Sequence, residues 1–163
     1  MNKKAVALVS WIIVIWICKV FLFSLPYKFT GHPDTQHIFG TIGAWMSDTF
    51  SQGFGRLFGQ YGAFVVGSVE LLTSIVLLSP IFFWLIGLAG KSNKSLIRPQ
   101  IHKIGGLMAS AVMAGAVFFH LFTPLGVEVL HKGKSDGGSL FYAAVSILIL
   151  GVVLFLINSR IKP

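Results

Sequence analysis

Four long apolar stretches alternate with shorter polar ones along the chain. They cover roughly residues 5–25, 61–88, 104–123 and 139–157. An α-helix rises about 1.5 Å per residue, so about 20 apolar residues cross the hydrocarbon core of a bilayer. The pattern therefore predicts an all-α fold, a four-helix transmembrane bundle that forms a single domain over residues 1–163.

The second apolar stretch is ambiguous because it is long for one crossing and too short for two. Pro80 lies inside it. One interpretation is a helix kinked at Pro80, and the other is a tilted helix that ends in an interfacial segment, 81–88. Whether the extension 81–90 lies in the membrane or at its interface stays open at this point.

The composition supports a lipid environment. The chain is 55% hydrophobic and only 11% charged, whereas soluble domains carry about 25% charged residues.

The net charge of +8 does not indicate nucleic-acid binding, because the basic residues flank the apolar stretches instead of lining one face. A single cysteine, Cys18, excludes an intramolecular disulfide. The first apolar stretch is longer than the apolar core of a signal peptide and no cleavage site follows it, so we interpret it as a retained helix.

Basic residues are distributed unequally between the two sides of the predicted bundle. One side carries eight Lys and Arg residues and the other carries four, together with every acidic residue outside the apolar stretches. The positive-inside rule places the basic side, which includes both termini, in the cytoplasm. The predicted location is the inner membrane, with several crossings and with both termini inside.

The segment 29–60 is the largest predicted external piece, and it is rich in glycine and aromatic residues. We expect this segment to form a structured lid that either lies on the outer membrane surface or folds back over the bundle. A short helix is predicted to start at Pro33-Asp34, with Asp34 as its N-cap, because Ile38, Ile42 and Trp45 follow helical spacing.

Three ionisable residues interrupt the apolar stretches: Lys19, Glu70 and His120. A charge in mid-membrane costs about 2.5–3.5 kcal/mol on insertion scales. Counted from the stretch ends, all three lie in the outer half of the membrane, so the sequence predicts one shared polar cluster. Small residues on the third stretch, such as Gly106 and Ser110, are expected to bring its polar stripe against that of the second.

Several interpretations of this cluster remain open. In a structural one, Lys19 neutralises Glu70 and His120 bonds to a hydroxyl or carbonyl group. In a functional one, the cluster is a ligand, proton or quinone site beneath Tyr27 and Lys28 at the outer mouth. In a third, Lys19 reaches outward to the interface. The sequence does not identify a cofactor, and quinone is the candidate that this cluster suggests. No catalytic residue or metal site is predicted, because the outer histidines lack chelating spacing.

The chain resembles the DoxX-like family of small four-helix membrane proteins. The resemblance rests on motifs that order all four helices: 23–31 (FSLPYKFTG), 67–72 (GSVELL), the glycine-rich stretch from 105 that ends in 120–123 (HLFT), and the predicted turn Asp136-Gly137-Gly138 before the fourth apolar stretch. It implies a bundle with both termini inside and an association with membrane redox or oxidative-stress assemblies. The insert 81–103 and the absence of paired cysteines depart from the family pattern.

Three functions are compatible with these features. The first is an accessory or structural subunit of a larger inner-membrane assembly, whose basic stretch 91–103 contacts lipid headgroups or a cytoplasmic partner. The second is a redox-linked subunit that binds quinone, with Glu70 and His120 relaying protons. The third is a small transporter or lipid-binding module. Expected partners are the bilayer and either other proteins or further copies of the chain, without nucleic acid.

Overall fold

The computed structural model describes residues 2–87 and 97–161, and this part of the chain is almost entirely helical. The helices are α1 (Lys3–Phe29), α2 (Pro33–Thr49), α3 (Gln52–Gly87), α4 (Ile97–Phe122) and α5 (Ser139–Ser159). A short antiparallel hairpin, β1 (Leu130–His131) with β2 (Lys134–Ser135), lies between α4 and α5. Helices α1, α3, α4 and α5 are long and apolar enough to cross a membrane, which confirms the predicted all-α fold with four candidate spans.

These four helices form a closed ring in which each packs against two neighbours. Helix α1 lies between α3 and α5, and α4 lies between α3 and α5 on the opposite side. The shared core is apolar, and its fully buried members include Ile17, Phe21, Leu77, Ile147 and Leu154. The outward surface is also apolar, as expected where lipid replaces water.

Glycine permits the close approach of α4 and α5. A Cβ on Gly106 would lie 2.7 Å from the Gly151 carbonyl oxygen, and one on Gly151 would lie 2.6 Å from the Gly106 carbonyl oxygen. Ser110 joins the two helices further by donating to the Leu148 carbonyl at 2.9 Å. The expectation that this small-residue stripe faces the second span was wrong, because it packs against α5.

Helix α2 and the first half of α3 form a helical hairpin. The two helices touch through glycine: a Cβ on Gly43 would meet Gly59 at 2.8 Å. A separate apolar cluster beneath α2 joins it to the α4–α5 connection: Ile42, Met46, Leu125 and Val129. We call this end of the bundle the outer end, and the opposite end, where α1 begins and α5 finishes, the inner end.

The segment 29–60, predicted to be external, is thus largely helical, and its element boundaries differ from those predicted. Helix α3 begins at Gln52, not near residue 61, because packing against α2 stabilises helix over the glycine-rich stretch 52–60. The N-cap of α2 is His32, not Asp34, since the His32 ring accepts from the Asp34 N–H. Ile38, Ile42 and Trp45 face the cluster as their spacing indicated.

The second and third spans also differ from the prediction at the inner end. Pro80 lies inside α3, which continues to Gly87. Helix α4 starts at Ile97 instead of residue 104. The end of the predicted extension 81–90, and most of the basic loop that follows it, lie outside the described residues.

Asp136 orders the start of α5, where the sequence predicted a turn. Its carboxylate accepts from the N–H groups of Val129, Gly138 and Leu140 at 2.8–3.0 Å. Partial burial opposes ionisation of Asp136, but these hydrogen bonds outweigh it and hold the pKa of the carboxyl below its usual value. The side chain therefore satisfies donors that the first turn of a helix leaves free.

Replacing Gly151 with Ala tests the α4–α5 contact. The new Cβ meets the Gly106 backbone, so the helices must separate, and we expect a loss of roughly 1–3 kcal/mol in the free energy of unfolding. Gly115→Ala is the matched control, because nothing lies within 4 Å of a Cβ there and Ala favours a helix by about 1 kcal/mol. Thermal unfolding in detergent measures both, and equal stability of the two variants would contradict this packing.

Candidate functional site

A buried ion pair joins α1 to α3 near the outer end of the bundle. Lys28 Nζ lies 2.5 Å from Glu70 Oε2. Ser24 donates to the same carboxylate oxygen at 2.8 Å and accepts from Lys28 Nζ at 2.9 Å. The Glu70 side chain is 3% exposed and that of Lys28 is 15% exposed. Moving an ion from water into the protein interior costs several kcal/mol. The mutual contacts of Lys28, Ser24 and Glu70 offset that cost.

The local sequence explains how the pair forms. Ser24 and Lys28 are four residues apart, so they share one face of α1. Gly67, one turn before Glu70, leaves room for the Lys28 stem and the Phe29 ring, because a Cβ there would lie 3.0–3.3 Å from them. A larger residue at position 67 would push the end of α1 away from α3.

Lys19 is not part of this site. The expected pairing of Lys19 with Glu70 was wrong, because Lys28 occupies that role. Lys19 and Lys28 are nine residues apart, which is two and a half helical turns, so they leave α1 on opposite faces. Lys19 is exposed, with its ammonium 5.7 Å from the centre of the Trp16 ring. Lys19 therefore lies on the exposed surface of α1, and its ammonium lies beside a residue one turn toward the inner end, not at the outer interface.

His120 is also separate from Glu70. Its Nδ1 lies 2.7 Å from the Gly126 carbonyl oxygen, and its ring packs edge-on against Phe141. It is buried, as the structural interpretation expected for a histidine bonded to a carbonyl. These contacts hold the α4–α5 connection against the end of the bundle.

The register of α3 and α4 explains why the two residues do not meet. The Leu77 side chain lies against Gly105, and from that level His120 is 15 residues toward the outer end whereas Glu70 is only seven. At about 1.5 Å per residue the two differ in height by about 12 Å along the bundle. The single cluster of Lys19, Glu70 and His120 that the sequence predicted is therefore not formed.

Tyr27 lies beside the ion pair but outside it. Its side chain is half exposed, and its ring packs edge-on against His32 at 4.8 Å between centroids. This position fits the interfacial anchor that a tyrosine at a helix end commonly provides. Of the five predicted site residues, the structure thus brings only Lys28 and Glu70 together.

Three outer histidines gather around Asp34. His131 Nδ1 lies 2.6 Å from Asp34 Oδ1, and the rings of His37 and His131 stack at 4.6 Å. His32 Nδ1 lies 3.5 Å from the other carboxylate oxygen. The hydrogen bond from His131 holds the pKa of Asp34 below its usual value. Within the described residues, no three His, Cys, Asp or Glu side chains are arranged to hold a metal ion.

A polar group at the inner end was missed from the sequence. Asn158 Nδ2 donates to Ser10 Oγ at 3.0 Å, and the Trp11 ring packs edge-on against His102 at 4.7 Å. Ser10, His102 and Asn158 are all buried. His102 was overlooked because the third span was predicted to start at residue 104. A count of polar residues one turn beyond each predicted end would have found it.

An open groove runs along the α2–α3 hairpin at the outer end. It has a volume of about 400 Å³, and four of its nine lining residues are glycine. Its lining residues with polar or charged side chains are Ser47, Asp48, Gln52 and Arg56. The groove lies on the outer hairpin, away from the Lys28–Glu70 pair, so that pair does not line it.

Comparisons with known proteins were negative: no protein-family model, curated protein or solved structure matches the chain. The resemblance to the DoxX-like family therefore stays a prediction from the residues that carry it.

Removal of either partner of the ion pair should destabilise the protein. Lys28→Gln leaves a buried carboxylate unpaired, and Glu70→Gln leaves the ammonium without its acceptor. We expect each to lose roughly 1.5–3 kcal/mol in the free energy of unfolding, with the double variant losing less than the sum. Lys19→Gln removes the same charge from an exposed position and should change stability by less than about 0.5 kcal/mol. Denaturant unfolding in micelles measures all four, and a Lys19 effect as large as that of Lys28 would refute the pairing.

The pKa of Asp34 should depend on His131. Replacing His131 with Gln removes the largest influence on the carboxyl, so its pKa should rise toward 3.8. A carboxyl whose pKa is lower in the folded than in the unfolded protein stabilises the fold at pH values above its unfolded pKa. This contribution to stability is therefore present at neutral pH, and it is lost as the pH falls through the folded pKa. Carbon-13 NMR of the aspartate side chains measures the titration. The matched variant His120→Gln should leave Asp34 unchanged, and an unchanged Asp34 in both variants would contradict the contact.

Proposed function

We propose that this chain is a non-catalytic accessory subunit of a larger inner-membrane assembly, of the DoxX-like type. The observation that supports it best is the Lys28–Glu70 pair with Ser24. The acid inside the span is engaged in joining α1 to α3, so it stabilises the bundle and is not free to act as an acid or base. A buried carboxylate held in an ion pair is typical of a structural element.

The charge distribution supports an orientation for the subunit. Lys3 and Lys4 begin α1, Arg98 and Lys103 lie in the first turns of α4, and Arg160 follows α5. All of them belong to the inner end, which the positive-inside rule assigns to the cytoplasm. The α2–α3 hairpin and the β-hairpin are then periplasmic.

The outer hairpin is the part best suited to contact a partner protein. Phe50, Phe54 and Leu57 are each more than half exposed on it. They lie beyond the level of the ion pair, toward the tip that joins α2 to α3. A group of large apolar side chains beyond the membrane-crossing part is a common feature of protein interfaces.

Site-specific photo-crosslinking in intact membranes tests the proposal. A benzophenone amino acid at Phe54 should capture one defined membrane protein, which should also copurify in mild detergent. The same probe at Gln36, exposed on α2, is the control and should capture much less. A lone, monodisperse monomer with no protein captured from either position would refute an accessory role.

A further inference from the structure

The inner end holds several buried polar atoms that have no hydrogen-bond partner among the described residues. They are Arg98 Nη1, both ring nitrogens of His102, and Asn158 Oδ1. The Leu77 carbonyl lies beside the His102 ring but does not meet hydrogen-bond geometry. More than nine in ten buried polar groups in proteins are paired, so this concentration at one place indicates a missing partner.

These atoms belong to one small region. Arg98 and His102 are four residues apart on one face of α4. The His102 ring contacts Trp11, and the neighbouring residue of α1, Ser10, bonds to Asn158 on α5. Two adjacent residues of α1 thus contact the α4 and the α5 members of this group.

The missing partner of Arg98 is not an acidic side chain of this chain. The sequence contains five acidic residues: Asp34, Asp48, Glu70, Glu128 and Asp136. Glu70 is paired with Lys28. The other four belong to the outer hairpin or to the α4–α5 connection, at the opposite end of the bundle. No acidic side chain of the chain is therefore close to the guanidinium, and an anion from outside the chain can serve as its partner.

We propose that Arg98 binds the phosphate group of an anionic phospholipid at the inner end of the bundle. A guanidinium presents paired donors that match phosphate oxygens, and lipid phosphates lie where a membrane helix begins. His102, one turn deeper on the same face, is fully buried, so it lies behind Arg98 at the base of the site.

Lys103 makes a sharp control for this site. It lies on the same helix and carries the same charge, but its ammonium already packs over the Phe155 ring at 5.4 Å. Arg98→Gln and Lys103→Gln therefore change the net charge equally and differ only in the group removed. Arg98→Lys keeps the charge and loses the planar pair of donors.

Native mass spectrometry of the full chain, released from nanodiscs, measures the bound lipid. The nanodiscs contain phosphatidylglycerol and phosphatidylcholine in equal amounts. We expect retained phosphatidylglycerol in the wild type, about tenfold less in Arg98→Gln, an intermediate amount in Arg98→Lys, and no change in Lys103→Gln. Circular dichroism verifies that each variant is folded, and Arg98→Lys preserves the test if Arg98→Gln does not fold.

A second arm separates lipid phosphate from free phosphate. Inorganic phosphate is added to delipidated protein in detergent, and binding is followed by the shift of the His102 ring resonances in nitrogen-15 NMR. Binding of free phosphate that Arg98→Gln abolishes, together with no retained phosphatidylglycerol in the first arm, would retain a phosphate site but overturn the lipid as its source. Equal lipid loss in Arg98→Gln and Lys103→Gln, or no selectivity for phosphatidylglycerol, would overturn the proposal.

Discussion

The placement of a carboxylate inside an apolar bundle is the constraint on which the outer end of this protein depends. Glu70 is buried, and its charge is acceptable only because Lys28 and Ser24 meet the same oxygen. The pair requires the end of α1 to lie close to α3, and Gly67 provides the space. Because α1 ends there, α2 can turn back and pack along the first half of α3.

The two ends of the bundle differ in how completely their polar groups are paired within the chain. At the outer end, the buried acid and base neutralise each other, and Asp34 and Asp136 have hydrogen-bond partners close by. At the inner end, the charges are all basic, and polar atoms of Arg98 and His102 lack partners among the described residues. The outer end is therefore completed by the chain itself, whereas the inner end depends on its surroundings.

Helix periodicity could have identified the correct partner of Glu70. The buried residues of α1 include Ile17, Phe21 and Leu25, and continuing that face by one turn reaches Lys28. Lys19 lies off it. The prediction compared depths along the helices but not the faces on which the side chains leave, and a depth match alone does not place two side chains in contact. A different error placed His120 beside Glu70: depths counted from the predicted span ends did not include the register of α3 against α4, which separates the two residues by about 12 Å.

The sequence by itself determined the all-α class, the four candidate spans and the turn before α5, because apolar length and turn residues act locally. It also determined that α2 would be a helix with one apolar face. Only the tertiary structure decided that α3 begins at Gln52, that Gly106 packs on α5, and that His120 lies apart from Glu70. Those features depend on the relative rotation and register of packed helices, which local patterns in one chain do not encode.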